Sequence, residues 1–462
     1  MGFMVRRIAP DAKLSQQQVL DALAAVLPPA VVRAVVDETG VREQRDRKLP
    51  AELVVLLAVA MTLYPREALE RVLGKLLQGL RFLWPDPTFR TASKGAICQA
   101  RYHLGARPLA ALFHRVCRPL ATAATPGAFL FGLRMVALDA TTEDVPDTPA
   151  NGAAFGAPSN QHGRANFPQV LGCYLIECGT HAFLDAGFWP CHAGEAPCAR
   201  RLLRSVGPGM LLTWDAGLHS HAMVAQTLAR GAHCLGRVPS YARLPVLRRL
   251  VDGTSLAELY AAEDRQHRGP PLLVRIVEYT ITDPARVGAG LRHRLLTTLL
   301  DPDTAPAIEL ICAYHERWEI ELVIDEQDTH QRLVQHPLRS KKPVGIIQEL
   351  YGMLLAHYAI RAIMAQAAAQ IPLDPRRLSF VHAVQLITDA IPDFQKVRPS
   401  QRPALYQRLL HDIQQHRLPP RANRQNLRVV KRTRAKYPPK RNATPLPPLT
   451  TACFRDAVQL LI

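Results

Sequence analysis

The sequence predicts an α/β protein. A mixed sheet with helices packed on its faces is preceded by an all-helical region, interrupted by a mostly β insertion and followed by a basic tail. Three observations carry this. Up to about residue 125 the chain reads as helices separated by prolines. From Leu133 short apolar runs and helical stretches follow in the order three strands, helix, strand, helix, strand. The formal net charge is +18, from 57 Lys and Arg against 39 Asp and Glu, which points to a polyanionic partner, with nucleic acid ahead of an anionic membrane surface.

With 462 residues the chain is long enough for two or three domains with a sizeable core, and 48% apolar residues make it globular. The opening MGFMVRRIAP lacks the apolar core of an export signal. The longest apolar run, Leu53 to Tyr64, is too short to span a bilayer and reads as a buried helix. Nine cysteines stand singly with no CxxC pair, as expected of free thiols in a reducing compartment. Cys191, His192 and Cys198 imitate a metal cluster but read as small packing residues.

The first domain, residues 1–125, holds a helix from Ser15 through Val26, a second over Ala30–Glu38, a charged connector over Val41–Pro50, the buried helix and a further helix over Glu67–Leu80. After the breakers Pro85 and Pro87, Ser93 can cap a helix displaying Lys94, Gln99 and Arg101. Such a helix either enters a major groove or is an ordinary surface helix.

Residues 126–238 form the first part of the core. LRMVALDATT is an apolar strand ending on Asp139. A Gly-, Pro- and Asn-rich loop over Glu143–Arg164 suits a flexible segment beside a site. Gln169–Cys178 and His181–Cys191 read as a hairpin about Gly179-Thr180. Glu195–Val206 is helical, GMLLTWDAG is a strand closing on Asp215, and a helix over His219–Arg230 leads to the strand HCLGRV. Residues 239–300 form the insertion, with LLVRIVEYTI and HRLLTTLL as antiparallel strands and DGTSLAELYAAEDRQHRGPP as turns and a short helix. Residues 301–395 resume the core and include a long apolar helix over Val344–Ala368. Residues 396–462 form the basic tail, which has ten Lys or Arg and no acid from Arg417 to Arg441, among them Lys431, Arg432 and Arg434, as in an arm that tracks phosphates.

The stretch Ala307–Leu333 reads as one helix. At helical pitch Tyr314, Arg317, Glu321, Asp328 and Arg332 fall within a sector of about 60°. A row of hydroxyl, guanidinium and carboxylate suits work on a phosphate, although a solvated face laced with ion pairs shows the same pattern. Asp139 and Asp215, both at strand ends, join Glu321 as candidate catalytic acids, because functional groups gather where strands end in open sheets. Three such carboxylates can bind two divalent metals about 3.5–4 Å apart. Their hard oxygens favour Mg²⁺ over Zn²⁺, with Mn²⁺ as a substitute.

At these residues the chain resembles the DDE transposases of bacterial insertion sequences, in the insertion-sequence-four branch. The signature is Tyr, two residues, Arg, three residues, Glu, six residues, Lys. Tyr314, Arg317 and Glu321 match it in type and spacing, and Trp318 follows the Arg. VALDATT and TWDAG match the settings of the two aspartates. The resemblance implies a ribonuclease H-like core, double-stranded DNA as substrate, strand cleavage at the element's ends, and attack of the freed 3′-hydroxyl on target DNA. It also implies a homodimer on paired ends, terminal-repeat recognition by the helical region and, in some members, a hairpin intermediate with a flipped base near an aromatic such as Trp318. Phosphate contacts are expected from Tyr314, Arg317, Trp318, Arg332, Lys341, Lys342, Lys94, Arg101 and the tail cations.

One position departs: Asp328 stands where the signature has Lys. Either Arg332 substitutes, or Asp328 neutralises it by pairing at i,i+4. Asp325 competes with Glu321 for the role of third acid. A DNA-binding relic without activity and a nuclease that cuts without joining stand as alternatives.

Overall fold

The computed structural model describes residue 23 and residues 26–42, 49–77, 92–160, 163–264, 266–286, 288–331, 337–419 and 453–461. The expected helix from Ser15 lies outside these residues for nearly all its length. They fall into two compact units, one drawn from residues 1–129, 134–205 and 318–418, the other from 130–133, 206–317 and 419–462.

Among the described residues, unit one opens with five helices, α1 (Pro29–Glu38), α2 (Ala51–Leu63), α3 (Leu69–Leu76), α4 (Lys94–Leu104) and α5 (Arg107–Val116). Every residue of α2 is buried, as its unbroken apolar run requires. Ser93 caps α4, its Oγ accepting from the Ala96 amide at 3.3 Å. Strand β1 (Leu133–Asp144) pairs antiparallel with β2 (Gln169–Glu177), with Asp139 opposite Tyr174. Helix α6 (Pro149–Phe155) occupies part of the expected loop between them. β2 pairs antiparallel with β3 (Ala182–Pro190) across the expected turn, and α7 (Glu195–Arg200) follows.

Asp139 does not end its strand. The apolar run stops there, but β1 continues through Thr141, Thr142 and Glu143, all in register with β2. Threonine's branched Cβ favours extended backbone, so the ladder outlasts the hydrophobic pattern.

Unit two holds β4 (Met210–Trp214), α8 (His221–Ala229), β5 (His233–Arg237), β6 (Val246–Arg249), β7 (Ser255–Leu259), β8 (Leu272–Ile281), β9 (Arg292–Thr297) and α9 (Ala307–His315). β4 and β5 run parallel, joined by the crossover helix α8. From β5 the ladder is antiparallel through β9, β8, β7 and β6. The segment expected as turns and a short helix therefore contains strand β7, because Leu256 to Leu259 have a β8 partner to pair with.

Unit one resumes with α10 (Glu319–Asp325), a π-helical turn over Glu326–Gln331, α11 (Pro343–Ala369), α12 (Phe380–Lys396) and α13 (Arg402–Gln415). α11 packs on β3 through Tyr351 against Phe188, with ring centroids 5.1 Å apart, and His357 against Phe183 at 4.9 Å. It also crosses α2 closely. A Cβ on Gly352 would lie 2.5 Å from the Ala58 carbonyl oxygen. Gly352→Ala should therefore lower stability by about 1–3 kcal/mol through overpacking, despite alanine's ~1 kcal/mol advantage in helices. Chemical denaturation of the full chain reads the change, and a stabilised variant would refute the tight crossing.

Strand β10 (Val458–Leu460) completes unit two by pairing with Tyr279–Ile281 of β8. Just before it, Phe454 stacks on His315 of α9 with centroids 3.7 Å apart, and Arg455 pairs with Glu309.

Candidate active site

Directly opposed residues of antiparallel strands project from one face, so Asp139 and Tyr174 share a face of β1–β2 with Thr141 and Glu143. Asp139 is half-buried, and its Oδ1 accepts from the Ala140 amide at 2.8 Å. Tyr174 is fully buried. Burial pushes its hydroxyl well above the usual tyrosine range, Glu143 and Asp328 push it further, and the nearby Gln327 side chain opposes them. The π-helical turn therefore lies against the face that bears Asp139. Glu321, half-buried on α10, belongs to the same helical segment. Unit one thus brings the segment carrying Glu321 onto the sheet face from which Asp139 projects.

In unit two Asp215 directly follows β4. Its Oδ1 accepts from the amides of Gly217 at 2.9 Å and Leu218 at 3.3 Å, capping a short 3₁₀ turn. Tyr314 is buried, and its hydroxyl donates to the Trp214 carbonyl at 3.3 Å. Burial raises that hydroxyl, Arg317 and Arg237 oppose the shift, and Asp215 adds to it. The guanidinium of Arg317, also buried, lies 5.8 Å from the Tyr314 ring centroid. Tyr314 is therefore a prop for the end of β4 and not a member of an open polar row.

The single helix expected over Ala307–Leu333 is four pieces among the described residues. α9 gives way to a 3₁₀ turn over Glu316–Trp318, then α10, then the π-helical turn. A phase count at 100° per residue fails across such changes of pitch. Asp328 consequently lies near enough to Tyr174 to push its hydroxyl up, as Glu143 does. Arg332 lies outside the described residues. Among the described residues no three His, Cys, Asp or Glu side chains stand arranged as a metal-ligand set.

Asp328→Lys should raise excision about tenfold, equivalent to ~1.4 kcal/mol, by removing an anion from the face that bears Asp139 and placing a cation near Glu143. Unchanged excision would refute the idea that this position limits the chemistry.

The expected DNA contacts separate. Lys94, Lys341 and Lys342 are exposed, and Lys342 lies over the Tyr102 ring at 4.5 Å. Arg101 is buried, contrary to its expected display toward DNA. Its guanidinium donates to Gln348 Oε1 at 3.1 Å, Ser340 Oγ at 3.0 Å and the Gly345 carbonyl at 3.1 Å, tying α4 to the start of α11. It occupies the inward face of α4 with Ile97 and Leu104. Lys431, Arg432 and Arg434 lie outside the described residues. Sequence reasoning passed over Glu143 and Tyr174, although the two-residue alternation from Asp139 through Thr141 to Glu143 could have found the first.

Residues 17–114 match the family model for the insertion element 4 transposase N-terminal region, and residues 131–358 match the transposase DDE domain. The transposase InsG for insertion sequence element IS4 of Escherichia coli K12 is 30% identical over 426 residues, spanning 91% of this chain and 93% of InsG. The chain belongs to the IS4 family of DDE transposases. This IS4-family protein is thus a DNA transposase, an enzyme of DNA cleavage and strand transfer, and its mixed-sheet core is ribonuclease H-like. The putative transposase InsZ of the same organism is 22% identical over 198 residues, spanning 43% of this chain and 64% of InsZ. A cryo-EM structure of the piggyBac transposase synaptic complex with hairpin DNA matches with a TM-score of 0.44 and 13% identity, covering 86% of this chain and 85% of that one. No helix among the described residues of this transposase is long and apolar enough to cross a membrane.

Proposed function

We propose that Asp139, Asp215 and Glu321 are the catalytic carboxylates of this transposase, and that it cuts the element's ends and joins the 3′ ends to target DNA. The observation that carries this reading is the packing of the Glu321 segment on the Asp139 face, through Tyr174, Gln327 and Asp328. Within unit two, the backbone amides that hold Asp215 and the hydroxyl that props its strand end give the same support.

The donors suit a hard cation, since all three offer carboxylate oxygens and Asp139 and Asp215 are each oriented by a backbone amide. Two Mg²⁺ ions, or Mn²⁺ in their place, would lower the pKa of an attacking water or 3′-hydroxyl and neutralise charge on the leaving oxygen. The chain's own part is to hold these carboxylates fixed and to grip phosphates with Lys94, Lys341, Lys342 and the tail cations Lys431, Arg432 and Arg434. The working form is a homodimer that holds two element ends, each a double-stranded terminal repeat.

A strand-transfer assay with pre-cut ends tests the reading. Joined products support it. Cleavage without joining identifies a nuclease, and binding without either identifies a relic.

A further inference from the structure

Five charged or titratable side chains meet in the interior of unit one, and none belongs to the signature or the acids above. His181 and His357 are fully buried, and Arg361 and Glu326 nearly so. Arg361 forks onto Glu326, its Nε donating to Oε2 at 3.0 Å and its Nη2 to Oε1. His357 Nε2 also meets Oε2 at 3.0 Å. Burial would raise the Glu326 carboxyl, but Arg361, His181 and His357 together hold it well below the usual carboxylate range. Burial lowers His357 to about 4, so its ring is neutral and Nε2–H is the donor. Arg361 Nη2 donates to His181 Nδ1 at 2.7 Å. The same nitrogen lies 3.3 Å from Glu326 Oε1, and Nε2 of His181 lies 2.6 Å from Glu319 Oε2.

The placement along the chain gives this cluster its meaning. Glu319 and Glu326 lie two residues before and five residues after Glu321. The α-helical piece between them is seven residues long, with a 3₁₀ turn before it and a π-helical turn after it. So short a helix between two irregular turns has little stiffness of its own. The cluster grips it on both sides of Glu321. Its other attachments are α11, through His357 and Arg361, and the tight β2–β3 connection, where His181 takes the left-handed backbone conformation with φ +62°. β2 is in turn paired with β1, which carries Asp139.

We infer that His181, Glu326 and Arg361 are positioning residues for the transposition chemistry: they lock the axial place and rotation of the Glu321 segment on the hairpin layer that presents Asp139. This rests on the reading of Glu321 as the third catalytic acid. Displacement of a reacting group by about 1 Å costs on the order of 100-fold in rate.

The test uses the full chain and compares Glu326→Gln, His181→Gln and Glu321→Gln. Glu326→Gln keeps the shape and removes the charge that Arg361 grips. It should speed hydrogen exchange of the metal-free protein selectively over residues 319–331. Affinity for a pre-cut terminal-repeat duplex should stay the same, and strand-transfer kcat should fall about 100-fold at constant KM. His181→Gln, which removes only the ring bridge, should show the same pattern more weakly, and it carries the test if Glu326→Gln does not fold. Glu321→Gln should be inactive with wild-type exchange over 319–331. A folded Glu326→Gln or His181→Gln with wild-type kcat overturns the inference, as does faster exchange spread evenly over the chain. An active Glu321→Gln overturns the acid assignment itself, a result distinct from the first.

Discussion

Glu321→Gln, made in the full chain, is expected to reduce strand transfer by about 10³-fold or more, while folding and DNA binding stay as they are. Glutamine keeps the size of the side chain but replaces an anionic oxygen with an N–H₂ donor, which can neither hold a hard cation nor accept a proton. Glu321 is half-buried on α10, so the exchange leaves no cavity. Asp139→Asn and Asp215→Asn should lose as much. Asparagine caps a helical turn about as well as aspartate, so the Gly217 and Leu218 amides keep their acceptor at residue 215. Asp325→Asn is the discriminating control. Asp325 is exposed, accepts from Thr329 Oγ1 at 2.7 Å and lies 3.6 Å from His330 Nε2, and it should retain activity within about twofold. The rate of joining of pre-cut ends, at saturating Mg²⁺ and normalised to folded protein, measures all four variants. Full activity in Glu321→Gln with loss in Asp325→Asn would exchange the two assignments.

Affinity for terminal-repeat DNA should fall about 10³-fold between 50 and 200 mM salt, as for a protein that neutralises about six phosphates. The motivation is the surplus of 57 cationic over 39 anionic residues, and above all the run of ten Lys or Arg without an acid from Arg417 to Arg441. Replacing Lys431, Arg432 and Arg434 together with Gln should flatten the slope of log affinity against log salt by about 2.7, or ~0.9 for each phosphate no longer neutralised. Equilibrium titrations at four or more salt concentrations give that slope. A slope that the triple replacement leaves unchanged would take these three cations out of the DNA interface.

The parts of the fold that are legible in the sequence have one strong pattern each. The apolar run from Leu53 could only be a buried helix, and it is α2. The apolar segments on either side of Gly179-Thr180 are the β2–β3 hairpin. Asp215 stands where the end of its strand foretells it. Errors arise where a local pattern is extended beyond the forces that make it. The apolar run at Asp139 ends before its ladder does, because cross-strand pairing with β2 does not need apolar side chains. The five-residue stripe assumes one helical pitch through a stretch that changes pitch three times, so Tyr314 turns inward and Asp328 comes to lie by Tyr174. Arg101 looks like a DNA contact because a long basic side chain on a surface helix usually reaches outward, yet three buried acceptors near the start of α11 hold it. The His181–Glu326–Arg361 cluster is invisible in the sequence because its members lie up to 180 residues apart in the chain. Only tertiary structure joins them.

The late arrival of β10 has a consequence for newborn protein. Residues 458–460 leave the ribosome about 180 residues after Ile281, the strand they pair with, and at 5–20 residues per second that is a wait of roughly 10–35 s. Throughout it part of one β8 edge is open, and α9 lacks the Phe454 and Arg455 side chains that brace it. Prematurely terminated products that stop before Phe454 would keep that open edge permanently, which favours their aggregation over competition with the finished enzyme for element ends.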